Sequence, residues 1–432
     1  MNLVVVSFGG PGDVHPMLAL GRALRGRGHR VLILSNPYFE SLARQLDLEF
    51  AGFGSAAHLI HTMHSAQAGS CDRGQAGALP GQWLRQGLGR WRRRARGALG
   101  PMRWTYEQIA REHVAGKTLI VARGNAFGAR IAQEKLGLPL ATVHLQPAML
   151  RSEHDAPGLP LPDGRGPWLR ALRRCLWAAI DSYADLLLLP KTNAFRTELG
   201  LPPVRRLFSA WIHSPDLVLG LFPEWFAPPQ PDWPPRTRLA GFPLFDESGI
   251  REVPPEAESF LEAGEPPVVF TAGSFHRNAG RFFDVSAEVC RRLGLRGLIL
   301  SPARACVPAS LPEGVVHFPY VPLSCVLPRA AAIVHHGGIG TIGQAFAAGI
   351  PQLVVPFTDD QSDNAARVQR IGAGLRISLA QFRPKVATSR LQAVMRSPKI
   401  ADVCRSIALK VAGETPLAEA VRLVESLSIP DR

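Results

Sequence analysis

Cysteine is scarce in this chain, and what there is lies scattered. The six residues, Cys71, Cys175, Cys290, Cys306, Cys325 and Cys404, form no C-x-x-C pair. No zinc signature is visible and no disulfide framework is expected, which suits a reducing cytoplasm. Long apolar runs are missing too. Leu176 to Leu189 is interrupted by Asp181 and Asp185, so no transmembrane helix is expected. The start, Met1-Asn2-Leu3-Val4-Val5-Val6-Ser7, lacks the basic leader of a signal peptide and reads as a first buried strand. Acids are short against bases: 35 Asp and Glu stand beside 49 Lys and Arg, for a formal net charge of +14. That balance favours an anionic partner. No nucleic-acid reading motif accompanies the charge, so no nucleic-acid partner is expected. No Asp-x-Asp triplet offers a metal site.

A complete dinucleotide fingerprint is also missing. Phe8-Gly9-Gly10-Pro11-Gly12-Asp13-Val14-His15-Pro16 follows strand one, but His15 takes the place of the third glycine. Ser35 and Asn36 stand where an acid would close the next strand. A nicotinamide or flavin cofactor is therefore not expected.

At 432 residues the chain is long for one core, and two domains are the natural division. Short apolar runs alternate with helical stretches in both halves. Leu3–Phe8, Val31–Leu34, Leu119–Val121 and Leu140–Val143 come first; Val268–Thr271, Gly297–Leu300, Ile333–His335 and Gln352–Val355 follow. Such alternation predicts α/β domains with parallel sheets covered by helices. Pro223, Pro228, Pro229, Pro231, Pro234 and Pro235 crowd one segment, which reads as an interdomain linker. The expected division is 1–226, a linker at 227–236, and 237–415. Ligands in doubly wound folds sit at the carboxyl ends of the strands, and a cleft between the domains is a favoured place.

Five clusters carry chemistry. Asp13 stands at the sheet's carboxyl edge, with Pro16 suited to the start of the following helix. Its carboxylate is a candidate base for an acceptor hydroxyl, and a helix N-cap is the competing role. His15 is a second candidate base. Gly273 and Ser274 end a strand with residues small enough for a phosphate to approach the backbone. Tyr320 offers a ring to stack on a nucleobase, with main-chain groups at Val321 to read its edge; a core role for Tyr320 is the alternative. Val334-His335-His336-Gly337-Gly338-Ile339-Gly340-Thr341 reads as a strand, a glycine turn and a helix start. Such a turn presents amides and a positive helix end to an anion. His336, Gly338, Gly340 and Thr341 are the diphosphate candidates, and Asp360 with Gln361 the sugar-hydroxyl candidates. Adjacent histidines on a strand face opposite ways, which argues against a metal there. The fifth cluster, His58, His61 and His64, advertises no further zinc ligands and reads as a polar edge. Together the clusters point to a nucleotide-sugar.

The stretch from His335 through Asn364 resembles the donor signature of the family 1, GT-B-fold glycosyltransferases, and Gly12 to Pro16 resembles their acceptor-side turn. Within that family the likeness is greatest to the rhamnosyltransferase chain of bacterial rhamnolipid synthesis. Trp211-Ile212-His213-Ser214-Pro215, Leu221 to Gln230, Asp232-Trp233-Pro234 and Gly241 to Asp246 carry it. The resemblance implies two Rossmann-like domains, acceptor in the first and nucleotide-sugar in the second. It implies inverting transfer with neither metal nor cofactor. It also implies that 416–432 returns toward the first domain. The family's base is often a histidine where Asp13 stands here, and its usual orienting aspartate is not evident in Ala122-Arg123-Gly124-Asn125.

The expected donor is dTDP-L-rhamnose, with UDP-glucose as the alternative. The expected acceptor is a hydrophobic, anionic hydroxyacyl lipid, with sterols, macrolides and polyketides as alternatives. A nucleotide-sugar epimerase and a non-catalytic binding partner are the rivals of other classes. Arginines and tryptophans mingle over residues 83–104, which fits either a solvated helix face or peripheral contact with an anionic membrane. The expected location is the cytoplasm, with the inner face of the membrane as an option.

Overall fold

The computed structural model describes residues 1–57, 99–159, 161–162, 164, 166–273, 279–357 and 359–427. The chain divides into two units. One comprises Met1–Ala56, Gly77–Pro243 and Thr415–Arg432; the other contains Leu244–Glu414.

The first unit holds seven strands: β1 (Asn2–Val6), β2 (Arg30–Ser35), β3 (Glu49–Gly52), β4 (Thr118–Arg123), β5 (Leu140–His144), β6 (Leu217–Gly220) and β7 (Thr237–Leu239). Their order across the sheet is β3-β2-β1-β4-β5-β6-β7, and every pairing is parallel. The second unit holds β8 (Val268–Thr271), β9 (Gly297–Leu300), β10 (Val315–Phe318), β11 (Ala332–His335), β12 (Gln352–Val354) and β13 (Gly374–Arg376). Its order, β10-β9-β8-β11-β12-β13, is the same winding again, also parallel. The composition explains this. β1, β4, β5 and β8 are almost wholly buried runs, as strands covered on both faces must be.

In each sheet the chain order reverses beside its first strand: between β1 and β4, and again between β8 and β11. Loops leaving those strands diverge to opposite faces and open a crevice at their carboxyl ends. Both candidate sites begin there.

Four features differ from the sequence reading. The first helix, α1 (Pro11–Gly26), starts at Pro11 rather than Pro16. A proline at the first helical position loses no bond, because that N–H has no partner within the helix; Pro16 lies inside. The proline-dense 227–236 lies within the first unit, since β7 beyond it is the sheet's seventh strand and the second unit begins at Leu244. Trp104, on α2 (Met102–Glu112), packs against Phe53 and Phe8 at 5.5 and 6.3 Å, and Arg103 lies over Phe195 and pairs with Glu198. This end of the arginine–tryptophan stretch is thus packed on its own unit; residues 83–98 lie outside the described residues. Cys306 is disulfide-bonded, where no disulfide framework was expected.

The last helix, α7 (Pro416–Glu425), packs on α1. Glu425 bonds His29 at 2.9 Å and Arg27 at 3.3 Å. Among the described residues no helix is long and apolar enough to cross a membrane.

Candidate active site

In the first unit the chain leaves β1 through Gly9, whose φ of 138° an L side chain rarely adopts. A Cβ at Gly9 would lie 2.1 Å from Asp13 Oδ2, so glycine there is what admits the carboxylate. Asp13 sits in the first turn of α1, and its Oδ2 accepts the Gly10 N–H at 3.1 Å. Gly10, not Asp13, is thus the N-cap residue, and Asp13 reaches back to it from the third helical position. Ser7 Oγ donates to the Asp13 carbonyl at 2.9 Å, and Ser35 Oγ donates to the Ser7 carbonyl at 2.7 Å. These bonds tie the turn to β1 and β2.

The other carboxylate oxygen, Oδ1, is ion-paired with Arg123 at the end of β4. The Arg123 side chain is 8% exposed, that of Asp13 39%. Arg123 is the residue that sequence reasoning missed. The available signal was a lone charge closing the otherwise uncharged run Thr118-Leu119-Ile120-Val121-Ala122. His15, the second candidate base, lies elsewhere on α1, edge-on to Phe39 at 6.1 Å.

Behind Arg123 two histidines meet: His144 Nε2 and His213 Nδ1 are 3.0 Å apart and buried. A Cβ at Gly124 would strike the His144 ring at 2.6 Å. Burial pushes His213 down to about 4 and His144 well below the usual imidazole range, so both are neutral near pH 7. His213 also lines a cavity of about 610 Å³ with Arg151, Trp177, Asp181, Arg206 and Trp233, beside α4 (Pro167–Glu198). None of the expected site residues lines that cavity.

In the second unit His335 and His336 point opposite ways, as strand geometry requires, with ring planes 87° apart. His335 is buried and structural. Its Nδ1 accepts the Gly337 N–H at 3.2 Å, so Nε2 carries the proton and donates to Gln352 Oε1 at 3.1 Å. Burial lowers it to about 4. His336 is part-exposed, and its ring lies between two glycines. A Cβ at Gly273 would come within 2.7 Å of that ring, and one at Gly338 within 2.5 Å. The loops after β8 and β11 thus converge on one imidazole.

Gly338 then starts α5 (Ile339–Ala348) without a side-chain cap, and no acid stands in its first turn. Gly340 and Thr341 lie in that turn. Its leading amides have no intrahelical acceptors, and the helix dipole makes them an anion seat. Asn364 Nδ2 donates to the Gly337 carbonyl at 3.0 Å, holding the turn from α6 (Asp359–Ile371). Asp360 and Gln361 stand at the start of α6. Gln361 is 7% exposed, and its Oε1 accepts the Phe357 N–H at 2.9 Å.

Tyr320 donates its hydroxyl to the Asp246 carbonyl, and Arg251 lies 5.0 Å from its ring centroid. Burial, the largest cause, raises the phenol's pKa. The guanidinium occupies one face of the ring. Val321 is a core residue at 1% exposure, which leaves its main chain rather than its side chain for recognition. Ser274 and the histidines His58, His61 and His64 lie outside the described residues. Among the described residues no group of three or more His, Cys, Asp or Glu could hold a metal ion.

The family described as erythromycin biosynthesis protein CIII-like, C-terminal domain, matches residues 299–427. The O-mycaminosyltylonolide 6-deoxyallosyltransferase of Streptomyces fradiae is 27% identical, covering 98% of this chain and 97% of that one. Glycosyltransferase GtfE of Amycolatopsis orientalis is 29% identical over 87% of this chain and 85% of its own. Among solved structures, the glycotransferase of kitacinnamycin superposes with a TM-score of 0.74 at 19% identity, covering 99% of both chains. The spinosyn rhamnosyltransferase SpnG, in complex with thymidine diphosphate, gives 0.67 at 20% identity over 99% of this chain and 100% of that one. The fold is GT-B, and the chain is similar over most of its length to glycosyltransferases.

Proposed function

We propose that this enzyme transfers L-rhamnose from dTDP-L-rhamnose to a hydroxyl group of a hydrophobic acceptor, with inversion and without a metal or cofactor. The observation that carries the donor half is the His336 ring set between Gly273 and Gly338 at the uncapped start of α5. In this reading the diphosphate lies on that helix start, with Gly340 and Thr341 contributing amides and His336 a side-chain donor. Tyr320 and the Val321 main chain meet the base, Gly273 lies at the phosphates, and Asp360 with Gln361 meets the sugar.

Asp13 takes the proton of the acceptor hydroxyl as its oxygen bonds the anomeric carbon. The bond from that carbon to the diphosphate breaks, and the sugar passes through an oxocarbenium-like state of the kind glycosidases use. The departing dTDP carries the negative charge, which oriented amides stabilise by about 3 kcal/mol for a well-placed donor. His15 is the alternative base, disfavoured by its seat against Phe39.

The thymidine nucleotide is supported by SpnG, solved with thymidine diphosphate and called a rhamnosyltransferase. A hydroxyacyl lipid such as a 3-(3-hydroxyalkanoyloxy)alkanoate is the acceptor favoured by the likeness across Trp211 to Asp246. A second reading, a macrolide or other polyketide, is favoured by the name of the Streptomyces fradiae relative.

A donor panel watched by thermal shift tests the first half. A ligand at a hundred times its Kd stabilises by about 2.7 kcal/mol. dTDP-L-rhamnose and dTDP should raise the melting temperature more than UDP-glucose; the reverse order overturns the donor. Turnover with hydroxyacyl acids against macrolide aglycones then decides the acceptor. Product formed from UDP-N-acetylglucosamine alone would mark an epimerase instead.

A further inference from the structure

Arg123 is buried, carries a fixed charge and closes β4 at the point where the chain order reverses. An enclosed guanidinium is tolerated when an anion faces it. Among the described residues its ion-pair partner is Asp13. The other titratable groups on that side are His144 on β5 and, against it, His213 ahead of β6. Both are buried and neutral, and neither supplies negative charge. Asp13 and Arg123 therefore depend on each other, across 110 residues of sequence.

A pair serving only to pin α1 to β4 would leave two features without purpose. Asp13 keeps 39% of its side chain exposed, although its partner is enclosed. Gly9 keeps the space beside Oδ2 clear, at the cost of a positive φ. With Oδ1 on Arg123 and Oδ2 on the Gly10 amide, the carboxylate is held at both ends and open at one edge. Buried ion pairs stabilise little compared with apolar replacements of similar size. Their best use is orientation.

We propose that Arg123 is the positioning residue of the Asp13 base. It fixes the carboxylate's orientation, so that the open edge meets the acceptor hydroxyl. This inference rests on the reading of Asp13 as base, and the test separates the two. Arg123→Lys and Arg123→Gln are assayed with dTDP-L-rhamnose and the acceptor that the turnover panel selects. The expected order of kcat is wild type, then Lys about tenfold lower, then Gln about a hundredfold lower. KM for both substrates and the dTDP-induced melting shift should stay within about twofold. A loss confined to kcat and partly restored by lysine is not what a merely structural contact would give.

Equal kcat in all three proteins, or a loss seen in KM alone, overturns the proposal. Should the glutamine variant not fold, the lysine variant decides: lower kcat at unchanged KM supports the proposal, and wild-type kcat overturns it. Asp13→Asn, run beside them, tells which idea failed. Full turnover without the carboxylate removes the base itself. An inactive Asp13→Asn beside a fully active Arg123→Gln removes only the role of Arg123.

Discussion

At the carboxyl end of β1 the first unit places Gly9 and then Asp13, and β4 beside it ends in Arg123. At the carboxyl end of β8 the second unit places Gly273, and β11 beside it leads into His336 and Gly338. The winding is the same, and so is the device: a glycine of positive φ after the first strand, 138° at Gly9 and 75° at Gly273, makes room for a functional side chain. The chemistry set there differs. The first crevice holds a carboxylate braced by a buried cation. The second holds a part-exposed imidazole and a helix start empty of acids. In the proposed reading one arrangement accepts a proton, and the other seats an anion. Topology thus fixes where a site can be, and a handful of side chains decide what it does.

That division of labour can be broken one side at a time. The largest effect is expected from Asp13→Asn, which should cut turnover by about 10²–10⁴, the usual contribution of a general base. It also leaves Arg123 without its anion, and a loss on the order of 2 kcal/mol should appear in denaturant melts. Near-normal turnover would dissolve the contrast.

Next come Gly273→Ala and Gly338→Ala. Each new methyl meets the His336 ring, and overpacking of this kind costs about 1–3 kcal/mol. If that strain falls on the donor seat, dTDP should bind roughly ten- to a hundredfold more weakly by calorimetry. Unchanged binding in both variants would place the donor elsewhere.

Acid sharpens the comparison further. His335 in the second unit and His213 in the first both titrate near 4 when folded, against an ordinary 6.5, and His144 is also held low. A base whose folded value is depressed binds its proton more readily unfolded. The stability tied to it is whole above about pH 6.5 and is lost as pH falls toward 4. Each such histidine contributes roughly 3 kcal/mol at most. Melts between pH 7 and 4.5 should show this decline, with the two-histidine first unit losing more; flat melts would contradict it. The smallest expected effect is none at all: EDTA should leave turnover unchanged, and a strict need for added divalent metal would refute the proposed mechanism.

Local features of the fold were legible in the sequence. Strands such as Val268–Thr271 and Gly297–Leu300 stand at the boundaries their apolar runs suggested, because strands buried on both faces must be apolar throughout. The opposite facing of His335 and His336 follows from strand period alone. What could not be read was pairing at a distance. Arg123 looked like a departure from the family's orienting aspartate, and its bond to Asp13 forms only once β4 lies beside β1. Trp104 read as one aromatic among many arginines until Phe8 and Phe53 closed on it. The proline-rich 227–236 looked like a boundary because nothing local reveals the short β7 that follows.

The most direct test is a paired titration of dTDP by calorimetry, set beside turnover, in Asp13→Asn and His336→Ala. Asp13→Asn should bind dTDP as the wild type does while turning over almost nothing, and His336→Ala should lose dTDP affinity. If Asp13→Asn loses dTDP binding, or His336→Ala binds dTDP with wild-type affinity, the assignment of proton transfer and donor binding to separate units is wrong.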